Sequence, residues 1–226
     1  VAAAVHCADE GSVDPVAATQ AFLAAARAAG ADLECPCKVV DIERRGESLR
    51  LRTDRGERLL DVVVIAAGTA TVKAAAWAGL QVPLIDSPGA LATSEPIEPC
   101  LRGVVLAPTA HIVQRADGRI VTGADFGGGP VDGSAAEQGQ VLLAEAARYL
   151  RPLGAAKLDR LSIGWRPMAR DGLPIVGFAA GAPGVYLAVT HSGVTLAPIL
   201  GRLAAREILD GVEAEALKDF RLARFG

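Results

Sequence analysis

Arg166, in the stretch WRPMARDGLPIVG from Trp165 to Gly177, is suited by type and place to bind an anion. It ends the strand-like run KLDRLSIGW and precedes Pro167, which pushes the residue before it toward extended backbone. A guanidinium held there can grip a carboxylate through two parallel hydrogen bonds, which a lysine ammonium does less well. The same residues equally allow an ion pair between Arg166 and Asp171 or another structural acid. A second feature follows at THSGVTLAPILGR, where Gly193 opens a helix whose first N–H groups sit at a positive dipole end and favour negative charge.

Other chemistries find less support. His6, Cys7, Cys35, Cys37, Cys100, His111 and His191 are the soft or imidazole ligands available to a metal. Cys35-Pro36-Cys37, however, lacks the two-residue spacer and matching second pair of a zinc ribbon, so no metal site is expected. No Gly-x-Ser-x-Gly elbow occurs, and His191 and Ser192 are adjacent, a spacing that does not form a nucleophile and base pair. Neither a Walker-type loop nor a Gly-x-Gly-x-x-Gly fingerprint is present.

The elements that must position these groups are readable from punctuation and periodicity. SVDPVAATQAFLAAARAAGA carries Asp14 as a helix N-cap, Pro15 at the first helical position and Gly30 at the carboxyl end. KVVDIERRGESLRLRTDRGERLLDVVVIAAG reads as three strands turning at Arg45-Gly46 and Arg55-Gly56. The apolar run Val62–Ala67 in the last of them predicts a strand covered on both faces. Beyond it, Gly68 lets the backbone come close to whatever lies past the strand's carboxyl end.

From Pro83 the segments GALATSEP, RGVVLAP, HIVQRADGRIVTGAD and KLDRLSIGWRP predict an antiparallel sheet. One helix crosses that sheet, begun by Ser134 with Glu137 three residues on. GVYLAVT then forms a closing strand, followed by a helix from about Val194 to Leu209 that ends at Asp210-Gly211. Pro198 fits there only in the first turn. Ala197, Gly201 and Ala205 recur at every fourth position and predict a flat helix face packed closely on a neighbour.

With 226 residues and 51% hydrophobic content, the chain can bury a sizeable core built from small aliphatic side chains. A net charge of -3 with interspersed signs gives no field for nucleic acid and no polybasic run for a membrane surface. No window approaches the ~18 uncharged apolar residues of a membrane span. The opening VAAAVHCADEG lacks the basic region of a signal peptide and reads as the cut end of something longer. Four cysteines suit a reducing compartment, so the cytoplasm is expected.

Taken in order and spacing, VVVIAAG, HIVQRADGRIVTGAD, WRPMARDGLPIVG and HSGVTLAPILGRLAAREI resemble the carboxyl-terminal two thirds of an FAD-dependent oxidoreductase of the D-amino-acid oxidase and glycine oxidase superfamily. The resemblance implies an α/β (α+β) fold, a partial FAD-binding Rossmann-like domain with an inserted antiparallel-sheet substrate domain. Its expected boundaries are 1–82 and 166–226 for the FAD-binding part and 83–165 for the substrate part. The family's βαβ unit with Gly-x-Gly-x-x-Gly is absent here, which implies either a truncated chain or a separate polypeptide, or self-association, supplying it.

Position by position, the resemblance implies FAD contacts from Val39, Ala67 and Gly68, and from His191, Ser192, Gly193, Val194, Thr195 and Leu196. It further implies that His111 faces the substrate, where relatives often carry tyrosine, and that Arg166 clamps the substrate carboxylate. The implied reaction is hydride transfer from a carbon bearing an amine, in an amino acid or secondary amine, to the flavin. Two other readings stand beside it: a non-catalytic or regulatory subunit that keeps the fold, and an FAD-linked 2-hydroxy-acid dehydrogenase, whose substrate also carries a carboxylate.

Overall fold

The computed structural model describes residues 3–124 and 134–226. The expected segment ending in Asp125 is therefore described only to Ala124. The chain sorts into two compact units, one of Val1–Ala31 with Ser87–Trp165, the other of Asp32–Asp86 with Arg166–Gly226.

Helix α1 (Pro15–Ala28) starts where the Asp14 carboxylate accepts hydrogen bonds from the Val16 and Ala17 N–H groups, both at 2.9 Å. In the second unit, β1 (Val39–Arg45), β2 (Ser48–Thr53) and β3 (Gly56–Leu60) form an antiparallel meander. The third expected strand is in fact two. After β3 the chain breaks at Asp61, and β4 (Val63–Ile65) joins a different sheet. One strand cannot pair in both sheets at once, and the exposed Asp61 sits at the crossing.

Strand β4 alternates, with Val63 and Ile65 buried and Val64 47% exposed, so it is not covered on both faces as its unbroken apolar run predicts. The reason is position: among the described residues β4 lies at the edge of a three-stranded sheet. A 3-10 turn, Gly68–Ala70, then leads into α2 (Thr71–Trp77) and the short β5 (Leu84–Ile85).

The first unit carries β6 (Pro88–Ser94), β7 (Val104–Leu106), β8 (His111–Gln114), β9 (Ile120–Gly123) and β10 (Leu158–Trp165). They form an antiparallel sheet in the order β10-β6-β9-β8-β7, as the alternating segments predict. Helix α3 (Ala135–Ala147) begins with the expected reciprocal cap between Ser134 and Glu137. It buries Leu143 and Ala146 with Ala92, Ile112 and Ile120 of the sheet. Gly139 permits this approach, because a Cβ there would lie 2.5 Å from Leu158 Cδ2.

In the second unit β11 (Met168–Ala169) pairs with β5, and β12 (Ile175–Phe178) forms a hairpin with β13 (Val185–Val189). Strand β13 then runs parallel to β4, giving the order β12-β13-β4. Ile65, Ala75, Ile175, Val185 and Leu187 join Ile42 and Leu49 of the meander in one core.

Helix α4 (Gly193–Asp210) ends on Gly211 at φ +67. Pro198 is its sixth residue, beyond the first turn, contrary to expectation. The Val194 carbonyl loses its intrahelical partner there, at an exposed position that water can serve. Ala197, Gly201 and Ala205 are also exposed, so this face is not packed on any neighbour among the described residues. The helix instead turns Leu200, Leu203, Ala204 and Ile208 onto Val176 and Tyr186, because those larger aliphatic groups bury more apolar area than a small-residue row. No described helix is long and apolar enough to cross a membrane.

Candidate functional site

The parallel register of β4 and β13 puts Val63 opposite Val185 and Ile65 opposite Leu187. The segments that follow, Ala66 to Ala70 and Thr190 to Gly193, therefore leave the sheet at the same end. Carboxyl ends of parallel strands are where ligands bind in open α/β sheets, since no side-chain layer closes the space beyond them. Gly68 takes φ +57 in the turn, and no atom lies within 4 Å of the position a Cβ would occupy on either Gly68 or Gly193.

Ser192 precedes α4 but gives it no side-chain cap. Its hydroxyl lies 3.0 Å from His191 Nδ1, while its carbonyl accepts the Leu196 N–H at 2.9 Å. The first-turn N–H groups thus meet no capping oxygen from Ser192, at the positive end of an 18-residue helix. Ala67, Gly68, His191, Ser192, Gly193, Val194, Thr195 and Leu196 are gathered at these two strand ends. Val39 stands apart at the start of β1, where its partner is Thr53.

Arg166 is half-buried between β10 and β11, and its carbonyl accepts the Met168 N–H at 2.8 Å. Asp171, the alternative ion-pair partner its sequence position allows, is engaged elsewhere. Its carboxylate accepts from Arg224 Nε at 2.7 Å and Nη2 at 3.0 Å, and from the Leu173 N–H at 3.1 Å. His111 opens β8 in the other unit and is half-buried. Among the described residues no group of three His, Cys, Asp or Glu side chains gathers to hold a metal.

Sequence reasoning missed a buried polar cluster. Glu207, 3% exposed, accepts from the Tyr186 hydroxyl at 2.8 Å, from Arg221 Nη1 at 2.8 Å, from Arg221 Nη2 and from the Ala214 N–H at 2.7 Å. A usable signal existed: Glu207 falls three and four residues after Ala204 and Leu203, on the apolar stripe of its helix. Gly177 makes room for the guanidinium, since at φ +129 a Cβ there would collide with Arg221 Nη1.

Burial pushes the Glu207 carboxyl up, but the hydrogen bonds from Arg221, Ala214 and Tyr186 outweigh it and hold the group at about 2, below its ordinary 4.5. Burial, then Glu207, raises the Tyr186 hydroxyl well above its ordinary value. Hydrogen bonding by Arg224 holds Asp171 at about 2, below 3.8. Both carboxylates are depressed, so each favours folding above its ordinary value and loses that contribution as pH falls through the folded one. The urea midpoint is expected to drop between about pH 4.5 and about pH 2. The drop should be smaller in the Asp171→Asn, Glu207→Gln double variant, and an equal drop there would assign the acid sensitivity to other carboxylates.

Two parallel strands ending beside an open glycine turn and an uncapped helix start have the layout of the strand-end ligand crevice of an open α/β protein. The chain belongs to the FAD dependent oxidoreductase (DAO) family, whose model matches residues 1–207. One of the opine oxidase subunits of Agrobacterium tumefaciens is 28% identical over 100% of this chain and 60% of its own length. Glycine oxidase of Bacillus subtilis is 27% identical over 96% of this chain and 60% of its own. The crystal structure of glycine oxidase from Geobacillus kaustophilus matches with a TM-score of 0.78 at 29% identity, covering 91% of this chain and 56% of that one. L-proline dehydrogenase from P. horikoshii shares the fold, with a TM-score of 0.84 at 22% identity over 94% of this chain and 60% of that one. The chain spans about 60% of the length of the curated relatives it matches.

Proposed function

We propose that this chain is the substrate-side and partial FAD-binding portion of an oxidoreductase that oxidises the C–N bond of an amino acid or secondary amine. The observation that carries the reading is the convergence of the open Gly68 turn and the uncapped start of α4 at the ends of β4 and β13. That cradle fits FAD: two glycines leave space for close approach, and first-turn N–H groups suit an edge that gains negative charge. When bound, FAD supplies the acceptor for a hydride, that is, for two electrons and one proton.

The chain's own residues bind and orient. Arg166 holds the substrate carboxylate, which fixes the reacting C–H bond in place and supplies effective concentration. His111 faces the substrate from the antiparallel sheet, which serves as the substrate domain. The strands β4 and β13 with α4 serve the cofactor. The Gly-x-Gly-x-x-Gly unit comes from the remainder of a longer protein or from a partner polypeptide; the curated relatives, one of them named as an opine oxidase subunit, extend well beyond the 60% of their length that this chain matches. Four free cysteines support a cytoplasmic location.

The test uses the complete protein with whatever supplies that unit. It is expected to purify with visible flavin absorbance that bleaches anaerobically on mixing with glycine, sarcosine or proline. A colourless protein would favour a non-catalytic subunit. Bleaching by a 2-hydroxy acid but by no amine would replace the C–N assignment with alcohol dehydrogenation.

A further inference from the structure

The antiparallel sheet has one face under α3, carrying Ala92, Ile112 and Ile120. Its opposite face presents, at one level across the five strands, Leu106, His111, Gly123, Leu91 and Ser162. Each is the direct cross-strand partner of the next. Paired residues in antiparallel strands project to the same side, so these five form a single row. Leu91, on the interior strand β6, is 48% exposed, and Leu106, on the edge strand β7, is 57% exposed, so this face is open at both residues.

Gly123 interrupts the row between His111 and Leu91. Two strand spacings put those residues about 10 Å apart, and Gly123, itself buried, brings no side chain between them. Leu91 leans over Gly123: a Cβ there would lie 2.8 Å from Leu91 Cδ2 and 3.2 Å from the Ala90 carbonyl. Leu91 therefore fills the space over the buried Gly123 and narrows the face between itself and His111.

We infer that Leu91, leaning over Gly123, is the residue that limits the size of the substrate substituent lying beside His111. The wall is apolar and close, so it accepts a hydrogen, a methyl or another small apolar group and rejects branched or charged substituents. This rests on the amine-oxidising function proposed for the chain and on the placement of His111 at the substrate.

The test compares the complete flavin-loaded enzyme with its Leu91→Ala and Leu91→Phe variants on glycine, alanine, valine and leucine. Shortening the wall should raise kcat/KM for valine and leucine relative to glycine by about tenfold or more, and lengthening it should lower the ratio for alanine in the opposite sense. The change should lie chiefly in KM, with flavin absorbance retained. If wild-type enzyme oxidises glycine and both variants keep its selectivity, Leu91 is not the wall and the inference fails alone. If wild-type enzyme oxidises no amine, the functional reading fails and this inference falls with it. Either variant, if folded, decides the matter.

Discussion

Glu207→Ala is expected to lower folding stability by about 3 to 5 kcal/mol, because it leaves the Arg221 guanidinium largely buried without its counter-charge. Arg221 keeps 18% of its side-chain surface, and its remaining hydrogen bond is to the Val176 carbonyl at 3.2 Å. The alanine also strips the Tyr186 hydroxyl and the Ala214 N–H of their acceptor, and each orphaned group adds to the loss. Glu207→Gln should cost less, since an amide can still accept from two of these donors. Replacing both partners with apolar residues, Glu207→Leu with Arg221→Met, should recover much of the loss, because the desolvation of two charges disappears with them. Urea unfolding of wild type, Glu207→Leu, Arg221→Met and the double variant, read as a double-mutant cycle, measures the pair directly, with the alanine and glutamine variants compared beside it. An alanine variant within about 1 kcal/mol of wild type would show that water or neighbouring groups replace the carboxylate, against its 3% exposure.

That cluster also marks where the sequence stops being legible. Local rules hold where the chain satisfies its own backbone: Asp14 and Ser134 cap the helices they announce, and Gly211 ends α4. Alternation identifies the antiparallel sheet only in part, since β8 buries Ile112 between half-buried neighbours whereas β9 is buried at all four residues and β10 at none. What local rules miss depends on a partner far along the chain. The run from Gly56 to Ile65 is nearly continuous as a strand pattern, yet it splits at Asp61 because β4 pairs with β13, more than a hundred residues later.

The Ala197, Gly201 and Ala205 row predicts a packing face, but burial goes to the larger residues beside it. Glu207 stands out only as a charge on an apolar stripe, and nothing local names Arg221 as its partner. The strand-end cradle is partly legible, because Gly68 and Gly193 follow apolar strands; that the two strands are parallel neighbours is not. Leu91 carries no signal at all, since its exposure and its lean over Gly123 arise from cross-strand register.

Arg166→Leu in the complete enzyme is expected to weaken kcat/KM for carboxylate-bearing amines by about 2 to 5 kcal/mol, the range for truncating one partner of a desolvated charge pair. Arg166→Lys should recover only part of this, because an ammonium keeps the charge and loses the two-pronged geometry. The structure supplies a control. Asp171 is bound by Arg224, so Asp171→Asn removes that ion pair and should reduce stability while leaving carboxylate discrimination intact. A structural role for Arg166 would reverse the pattern, with the leucine variant losing stability and slowing amines with and without a carboxylate alike. The decisive readout is therefore a ratio, kcat/KM for an amino acid over that for the matching amine without its carboxylate. Arg166→Leu should collapse the ratio and Asp171→Asn should not; equal ratios in wild type and Arg166→Leu would remove Arg166 from the substrate site.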